Sequence, residues 1–331
     1  MNPASVSTAP AARPQRVRAP RRAIHGVLLL DKPRGLTSQD AVTRVRRLTG
    51  AEKGGHAGTL DPLADGLLVV CLGAATKFSA SGLDADKTYE ALLRLGQTTA
   101  SFDAETPVLD ERPLDGVTSE RIAAVCAALQ GEQEQLPPMY SALKKDGQPL
   151  YELARQGLEV ERTPRRITLH EVTVLDLQMP LLRLRVRCSK GTYIRSLAHD
   201  IGQQLGCGAH LAGLRRVASG DLEVASGVTL EQLEGLAERP LPQWPAGVLR
   251  GVDTLIQDAP VVRLDDAESG RFLSGLRRRT ALPDRERVRV YGPQPAAFLG
   301  MAHIRARELI PDRLLSPPEV QAVLDQAPRP A

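Results

Sequence analysis

Apolar and polar positions along the chain follow two rhythms. GVLLLDKP (26–33) is an unbroken apolar run closed by charge and proline, which predicts a buried strand ending in a turn. TSQDAVTRVRRLTG (37–50) repeats at helical spacing: Val42, Val45 and Leu48 share a face, Thr37 or Ser38 is placed to cap the start, and Gly50 closes the end. LLVVCLG (67–73) predicts a second buried strand, and KTYEALLRLG (87–96) a strand with partial alternation. SERIAAVCAALQG (119–131) reads as a helix capped by Ser119 and ended by Gly131. ITLHEVTVLDL (167–177) and LLRLRVRCSKGTY (181–193) read as strands, the second setting Leu184, Val186 and Cys188 against Arg183, Arg185 and Arg187. YIRSLAHDIGQQLG (193–206) returns to helical spacing.

Three stretches break these rhythms. EQEQLPPMYSALKKDGQPLYELARQG (132–157) combines a Pro-Pro pair, exposed basic residues and a short terminal helix, the pattern of a segment that projects rather than packs. Prolines gather between 237 and 260, which puts a domain boundary near residue 250. Beyond it VVRL, AESGRFLSGL, RVRVYG, AAFLGMAHI and RELIPDRLL predict a strand, a short helix and further strands, a small β-rich module over 251–331. Residues 1–23 are rich in Ala, Pro and Arg without periodicity and read as a basic arm that buries too little to fold. No repeat recurs at periods of 20–50 residues.

Composition changes this picture only slightly. With 42% hydrophobic and 25% charged residues the 331-residue chain reads as an ordinary globular protein. The longest apolar stretch, 66–75, is too short to span a bilayer, and the early VLLL stops at Asp31, so neither a membrane anchor nor a secretory leader is expected. Five arginines and no acid in the first 30 residues also fit a mitochondrial transit pattern; a basic arm on a cytoplasmic protein is the preferred reading. A net charge of +4 permits a nucleic-acid partner without demanding one. Only seven of the 43 basic residues are Lys, and Arg is the side chain that grips phosphate bidentately, although codon bias produces the same excess.

Cys71, Cys126, Cys188 and Cys207 lack CxxC spacing and read as buried reduced thiols. His199, Cys207 and His210 cluster without matching a common zinc spacing, so no metal is expected. SALK (141–144) has the S-x-x-K spacing of penicillin-binding serine hydrolases, but their partner motifs are missing. No phosphate-binding P-loop is present, and GCGAHLAG fails the dinucleotide pattern at Leu211.

What remains is GGHAGTLDPLADG (54–66), four glycines around one Leu-Asp-Pro. Such density marks a turn or a close backbone approach. A carboxylate that works as nucleophile or base has to stay ionised while shielded, and a neighbouring cation lowers its pKa by about 1–3 units. Arg195 supplies that cation if the fold joins the two segments.

GHAGTLDPLADGLLVVCLGAATK resembles the catalytic motif of the TruB family of RNA pseudouridine synthases, and Asp61 falls on its catalytic aspartate. The resemblance runs in family order through DKPRGLTS, DKTYEALLRLG, PPMYSALKKDGQPLYELARQG, CSKGTYIRSLAHDIG and GCGAHLAGLRR, over about residues 25–220, with a weaker match in the tail. It implies an α+β fold: a mixed, mainly antiparallel sheet flanked by helices over 24–250, a thumb over about 132–160 and a C-terminal PUA-like β-barrel module. It implies isomerisation of a uridine after base flipping, without cofactor or metal, and for the bacterial branch a target in the tRNA T-loop (position 55, in the T-arm). That branch needs no guide RNA or protein partner and no membrane, and a monomer is expected.

The resemblance also assigns residues. Tyr89 would stack on the flipped uracil and assist loss of the C5 proton, and Arg195 would pair with Asp61. Tyr193, Leu214 and His56 would contact the substrate, with Lys32 supporting the catalytic loop. Lys144, Lys145 and Arg155 on the thumb would meet phosphates. Read alone, each has a plainer fate: core for Tyr89 and Leu214, solvent for Arg195, a loop position for His56. Thr59 and Asp65 depart from the small or polar residues common at those positions. An ionised Asp61 begins each of three routes: attack at C1′, attack at C6, or removal of a ribose proton. A non-catalytic RNA-binding or RNA-folding protein, and a synthase for another RNA site, are the competing readings.

Overall fold

The computed structural model describes residues 22–293 and 297–326. Most of the basic arm therefore lies outside the described residues. The first apolar run is strand β1 (Gly26–Lys32), followed by helix α1 (Ser38–Thr49). The glycine-rich stretch contributes β2 (Gly54–His56) and leads into β3 (Ala64–Leu72). A short helix α2 (Ser79–Asp84) precedes β4 (Lys87–Leu95), and β5 (Gln97–Thr99) with β6 (Val108–Glu111) forms a separate hairpin. Helix α3 (Ser119–Ala128) and β7 (Gly131–Gln135) lead to a projecting hairpin, β8 (Lys144–Lys145) and β9 (Gln148–Pro149), and helix α4 (Leu150–Arg155). Long strands β10 (Arg165–Gln178) and β11 (Leu181–Cys188) follow, then α5 (Ile194–Leu205), β12 (Ala209–Ser219) and β13 (Leu222–Glu223). Helix α6 (Leu230–Ala237) and β14 (Leu249–Arg250) close this part.

Ten of these strands make one mixed sheet in the order β14-β1-β3-β12-β4-β11-β10-β7, with β2 on β3 and β13 on β12. All pairings are antiparallel except a short parallel one between β12 and β3, where Leu214 lies beside Ala64. The tail forms its own five-stranded sheet from β15 (Val261–Arg263), β16 (Arg278–Arg279), β17 (Arg285–Tyr291), β18 (Phe298–Arg305) and β19 (Glu308–Leu314), with helices α7 (Asp266–Leu273) and α8 (Pro317–Gln326). Helices α1, α3, α5 and α6 cover one face of the main sheet over the largest apolar cluster, including Val42, Val45, Leu68, Leu93, Leu184, Ile201 and Leu233. The other face of β1 and β3 packs Val27, Leu29, Leu67 and Val69 against tail residues Val252, Ile256, Phe298 and Leu315. Burying that shared apolar surface fixes the tail on the back of the main sheet.

The alternation in β11 appears as expected, with Leu184, Val186 and Cys188 buried and the three arginines exposed. Thr37 caps α1 by accepting from Asp40 N, and Gly50 follows in the left-handed conformation. Helix α3 differs from expectation: Thr118, not Ser119, is its cap, and it ends at Ala128. Gly131 instead opens β7, which pairs with β10. The projecting segment, expected from about residue 132, consequently begins after Gln135. Strand β12 carried no apolar rhythm of its own, because its bulges after Leu211 and Arg216 shift alternation between faces. It is nonetheless the middle of the sheet.

Gly202 lets α5 press on the start of β12: a Cβ there would lie 2.1 Å from Ala209 N. Gly202→Ala is expected to lower unfolding free energy by about 2 kcal/mol despite the better helix propensity of alanine. Gly235→Ala in α6, where the added methyl meets open space, should instead be neutral or stabilising by up to about 1 kcal/mol. Urea denaturation of the two variants checks the contrast.

Candidate active site

Asp61 sits in the turn between β2 and β3, and several unrelated segments hold that turn. Ser38 Oγ, at the start of α1, donates to Leu60 O at 3.0 Å and accepts from Leu60 N at 2.8 Å. Gly35 N donates to Pro62 O at 2.8 Å. Lys32, fully buried, supports this neighbouring turn from within by donating to Pro33 O at 3.0 Å and Leu36 O at 2.8 Å. Burial pushes its ammonium below the usual lysine range, against the pull of Asp65 and Asp61.

Arg216 does more. It is 1% exposed, and its guanidinium donates to Leu67 O at 2.7 Å, Thr59 O at 3.2 Å and Gly58 O at 3.1 Å. The close approach that the glycine density marks is, at two of them, made by Arg216 itself. Gly66 has φ +97, and a Cβ there would lie 2.3 Å from Arg216 O; Gly58 has φ +119 with Arg216 Nη1 at 3.3 Å. Behind the turn, Arg215 pairs with Asp31 at 2.8 Å and Asp65 at 2.9 Å, and Arg34 pairs with Asp65 at 2.8 Å. The departure at Asp65 thus closes a four-member ion chain on the loop.

Arg195 comes from the first turn of α5, far away in sequence. Its Nη2 lies 2.9 Å from Asp61 Oδ2; the arginine side chain is 8% exposed and the carboxylate 45%. The other end of the guanidinium is held by Tyr140 O at 2.7 Å and Asp103 Oδ2 at 3.5 Å. Asp103 is 1% exposed and also accepts from Ser101 Oγ and Glu105 N. One guanidinium thus joins two carboxylates, the buried Asp103 and the partly solvent-open Asp61. Tyr140, whose carbonyl holds Arg195, also lines a cavity of about 300 Å³ together with Phe102, Met139 and Leu158 among others.

The remaining expected residues fall on several elements. Tyr89 on β4 lies across from Arg216 on β12, and burial raises its phenol pKa while Arg216 opposes that shift. Leu214, two residues earlier on the same side of β12, lines up with Ala91. Tyr193 precedes α5; burial raises its phenol as well, and both it and Tyr89 feel the charge of Asp61. His56 at the end of β2 has its ring lowered by burial and by Arg216, with Nδ1 buried and unbonded. Lys144, Lys145 and Arg155 are exposed on the projecting segment and form no ion pair with Asp61 among the described residues.

Two site residues escaped sequence reasoning. Asp103 stood in an unremarked loop, where only the density of short polar residues in TASFDAET hinted at a built turn. Arg216 stands in the motif GCGAHLAGLRR, where nothing marks it as the buried one of the two arginines. The three members of the suspected metal cluster have other company: His199 stacks on Phe102 at 4.1 Å, His210 Nδ1 faces Gln97 O at 3.2 Å, and Cys207 Sγ contacts Gly208 O. Among the described residues no three His, Cys, Asp or Glu side chains gather to hold a metal, and no helix is long and apolar enough to cross a membrane.

The fold is shared with solved proteins. The archaeal box H/ACA sRNP Nop10–Cbf5 complex contains a chain that aligns over 89% of this one and 88% of its own length, with a TM-score of 0.66 at 22% identity. A Cbf5–Nop10–Gar1 complex gives 0.67 at 24%, covering 89% and 87%. At such identities the likeness establishes the fold alone: the pseudouridine-synthase architecture with a PUA-like tail. Family models carry the rest. "TruB family pseudouridylate synthase (N terminal domain)" matches residues 46–194, "tRNA pseudouridylate synthase B C-terminal domain" 195–257, and "Pseudouridine synthase II TruB, C-terminal" 260–315. Proteins called tRNA pseudouridine synthase B from Cupriavidus metallidurans and Ralstonia pickettii are 53% and 52% identical, covering 92% of this chain in each case and 98% and 97% of their own lengths. Fold and sequence together define an isomerase that converts uridine to pseudouridine. The chain belongs to the TruB family.

The two partners of Arg195 differ in burial, which separates their contributions to stability. Arg195→Met leaves Asp103 buried without its cation and is expected to cost about 3 kcal/mol. Asp61→Asn, at a half-exposed position, should stay within about 1 kcal/mol of wild type. Chemical denaturation of both variants tests the assignment, and equal losses would contradict it.

Proposed function

We propose that this protein isomerises the T-loop uridine of tRNA, position 55, with Asp61 as the catalytic carboxylate. The observation that carries the reading is the Asp61–Arg195 pair: an anion fixed at 2.9 Å from a buried cation yet 45% open to solvent. The names of the curated relatives support tRNA as the substrate.

The target base is flipped out of the loop, at a cost of a few kcal/mol of stacking. Tyr89 and Leu214, diagonal neighbours on the paired strands β4 and β12, offer a flat face and an apolar wall to the uracil. The bond between N1 and C1′ breaks, the base turns, and a bond forms between C5 and C1′. The C5 proton leaves to water and N1 takes up a proton, so atoms balance without redox partner or nucleotide. A raised phenol pKa keeps Tyr89 protonated at neutral pH, so it acts in removal of the C5 proton only once a bound substrate has changed its surroundings. Tyr193 and His56 contact the flipped nucleotide and its neighbours, and Lys32 keeps the turn beneath Asp61 rigid.

Lys144, Lys145 and Arg155 meet the phosphates of the T-arm from the thumb, with the tail as a second RNA-holding module. The enzyme acts as a monomer in the cytoplasm and needs neither guide RNA nor protein partner. Catalysis comes from the pair and its surroundings, without cofactor or metal.

Unmodified tRNA transcript tritiated at uracil C5 tests the reading. Wild type should release tritium from the T-loop uridine. Asp61→Asn should lower release by more than about 1,000-fold while tRNA affinity stays within about threefold. Retained turnover would remove Asp61 from the role, and release from another position would move the substrate site. Lys144→Ala and Lys145→Ala should weaken binding and reduce the slope of log K against log salt by about 1 each.

A further inference from the structure

The catalytic helix α5 begins without a cap of its own. Tyr193 precedes it, offers no side-chain hydrogen bond to the first turn, and no acid sits in that turn. A residue 58 positions away takes over part of that work. Gln135, the last residue of edge strand β7 and 4% exposed, accepts from Tyr193 N at 2.8 Å through Oε1 and donates to Tyr193 O at 3.0 Å through Nε2. One primary amide thus binds both polar groups of one backbone residue, as a strand partner would, and a single torsional setting satisfies both bonds.

The chain leaving Gln135 continues along the same helix end. Ser196 Oγ donates to Leu136 O at 2.9 Å, and Arg195 Nη1 donates to Tyr140 O at 2.7 Å. Residues 135–140 therefore form a strap that contacts residues 193, 195 and 196, while β10 anchors it through the Arg165–Gln135 register. The strap is the root of the thumb.

We propose that Gln135 is a positioning residue for the isomerisation: its amide sets the backbone of Tyr193, and through it the guanidinium of Arg195 relative to Asp61. The same amide ties the root of the thumb to the catalytic pair, so a displacement of the thumb is transmitted to Arg195 through the strap. A residue that merely filled the core would make no demand on orientation at Tyr193. Here the hydrogen bonds fix direction, and an ion pair at 2.9 Å loses its geometry with small rotations of the helix start. The proposal rests on the reading of Asp61 and Arg195 given above.

Gln135→Met keeps length and volume and removes both hydrogen bonds. Single-turnover tritium release should fall about 10- to 100-fold, with tRNA affinity within about threefold of wild type. Leu233→Ala in α6, a fully buried position away from the site, serves as a control for lost stability alone and should keep the wild-type single-turnover rate at temperatures where it stays folded. Hydrogen–deuterium exchange gives a readout independent of turnover: amides 193–197 should exchange at least about tenfold faster in Gln135→Met, with α1 and α3 unchanged. A wild-type rate, or unchanged exchange at 193–197, overturns the positioning role. Absence of release from wild type would overturn the proposed reaction instead, and the exchange measurement would still decide the clamp. If Gln135→Met does not fold, Gln135→Glu, which keeps the acceptor toward Tyr193 N and loses the donor, carries the same comparison and should show the rate loss with affinity retained.

Discussion

A buried guanidinium has to find acceptors for its donors, and around Arg195 that requirement organises the site. Removing an arginine from water costs several kcal/mol unless carboxylates and carbonyls replace the lost hydration. Asp103 and Tyr140 O do so on one side, and Asp61 on the other. The three come from a loop after β5, the root of the thumb and the glycine-rich turn. Satisfying one side chain therefore brings three distant segments to one point. The arrangement is unequal in burial: Asp103 is sealed and Asp61 is open, so the same cation holds one partner in the interior and leaves the other accessible to solvent.

Arg216 imposes a second constraint from the opposite direction. Its backbone crowds Gly66 and its guanidinium collects carbonyls from Gly58, Thr59 and Leu67. Those contacts bracket Asp61 in the chain, and Ser38 grips Leu60 between them. A turn held at so many points loses little freedom when substrate arrives, which is the condition for a carboxylate to act from a fixed position. Lys144, Lys145 and Arg155 are exposed and take no part in these contacts.

Much of this was legible in the chain. The continuous apolar runs of β1 and β3, the helical spacing of α1 and α5 and the alternation of β11 were readable because burial repeats at the period of the backbone. The resemblance picked out Asp61 and Arg195, and the geometry pairs them. Strand β12 was not readable, since its bulges break the alternation, although it forms the centre of the sheet. The cap of α3 fell one residue from its expected place because Ser119 and Thr118 are equally suited by chemistry, and only the backbone at Thr118 is extended as a cap requires. Asp103 and Gln135 carried no local signal, because their partners lie 92 and 58 residues further along the chain.

By itself, then, the amino-acid sequence determined the elements with strong periodicity and the membership of the TruB family. These depend on neighbouring residues and on ordered motifs, both of which are local in the chain. Tertiary structure decided which arginine is buried, which glycines serve the protein's own packing rather than a ligand, and which polar side chains complete the site. Those outcomes turn on desolvation and on hydrogen-bond geometry between remote segments. Neither quantity exists until the segments meet, so no spacing in the sequence encodes it.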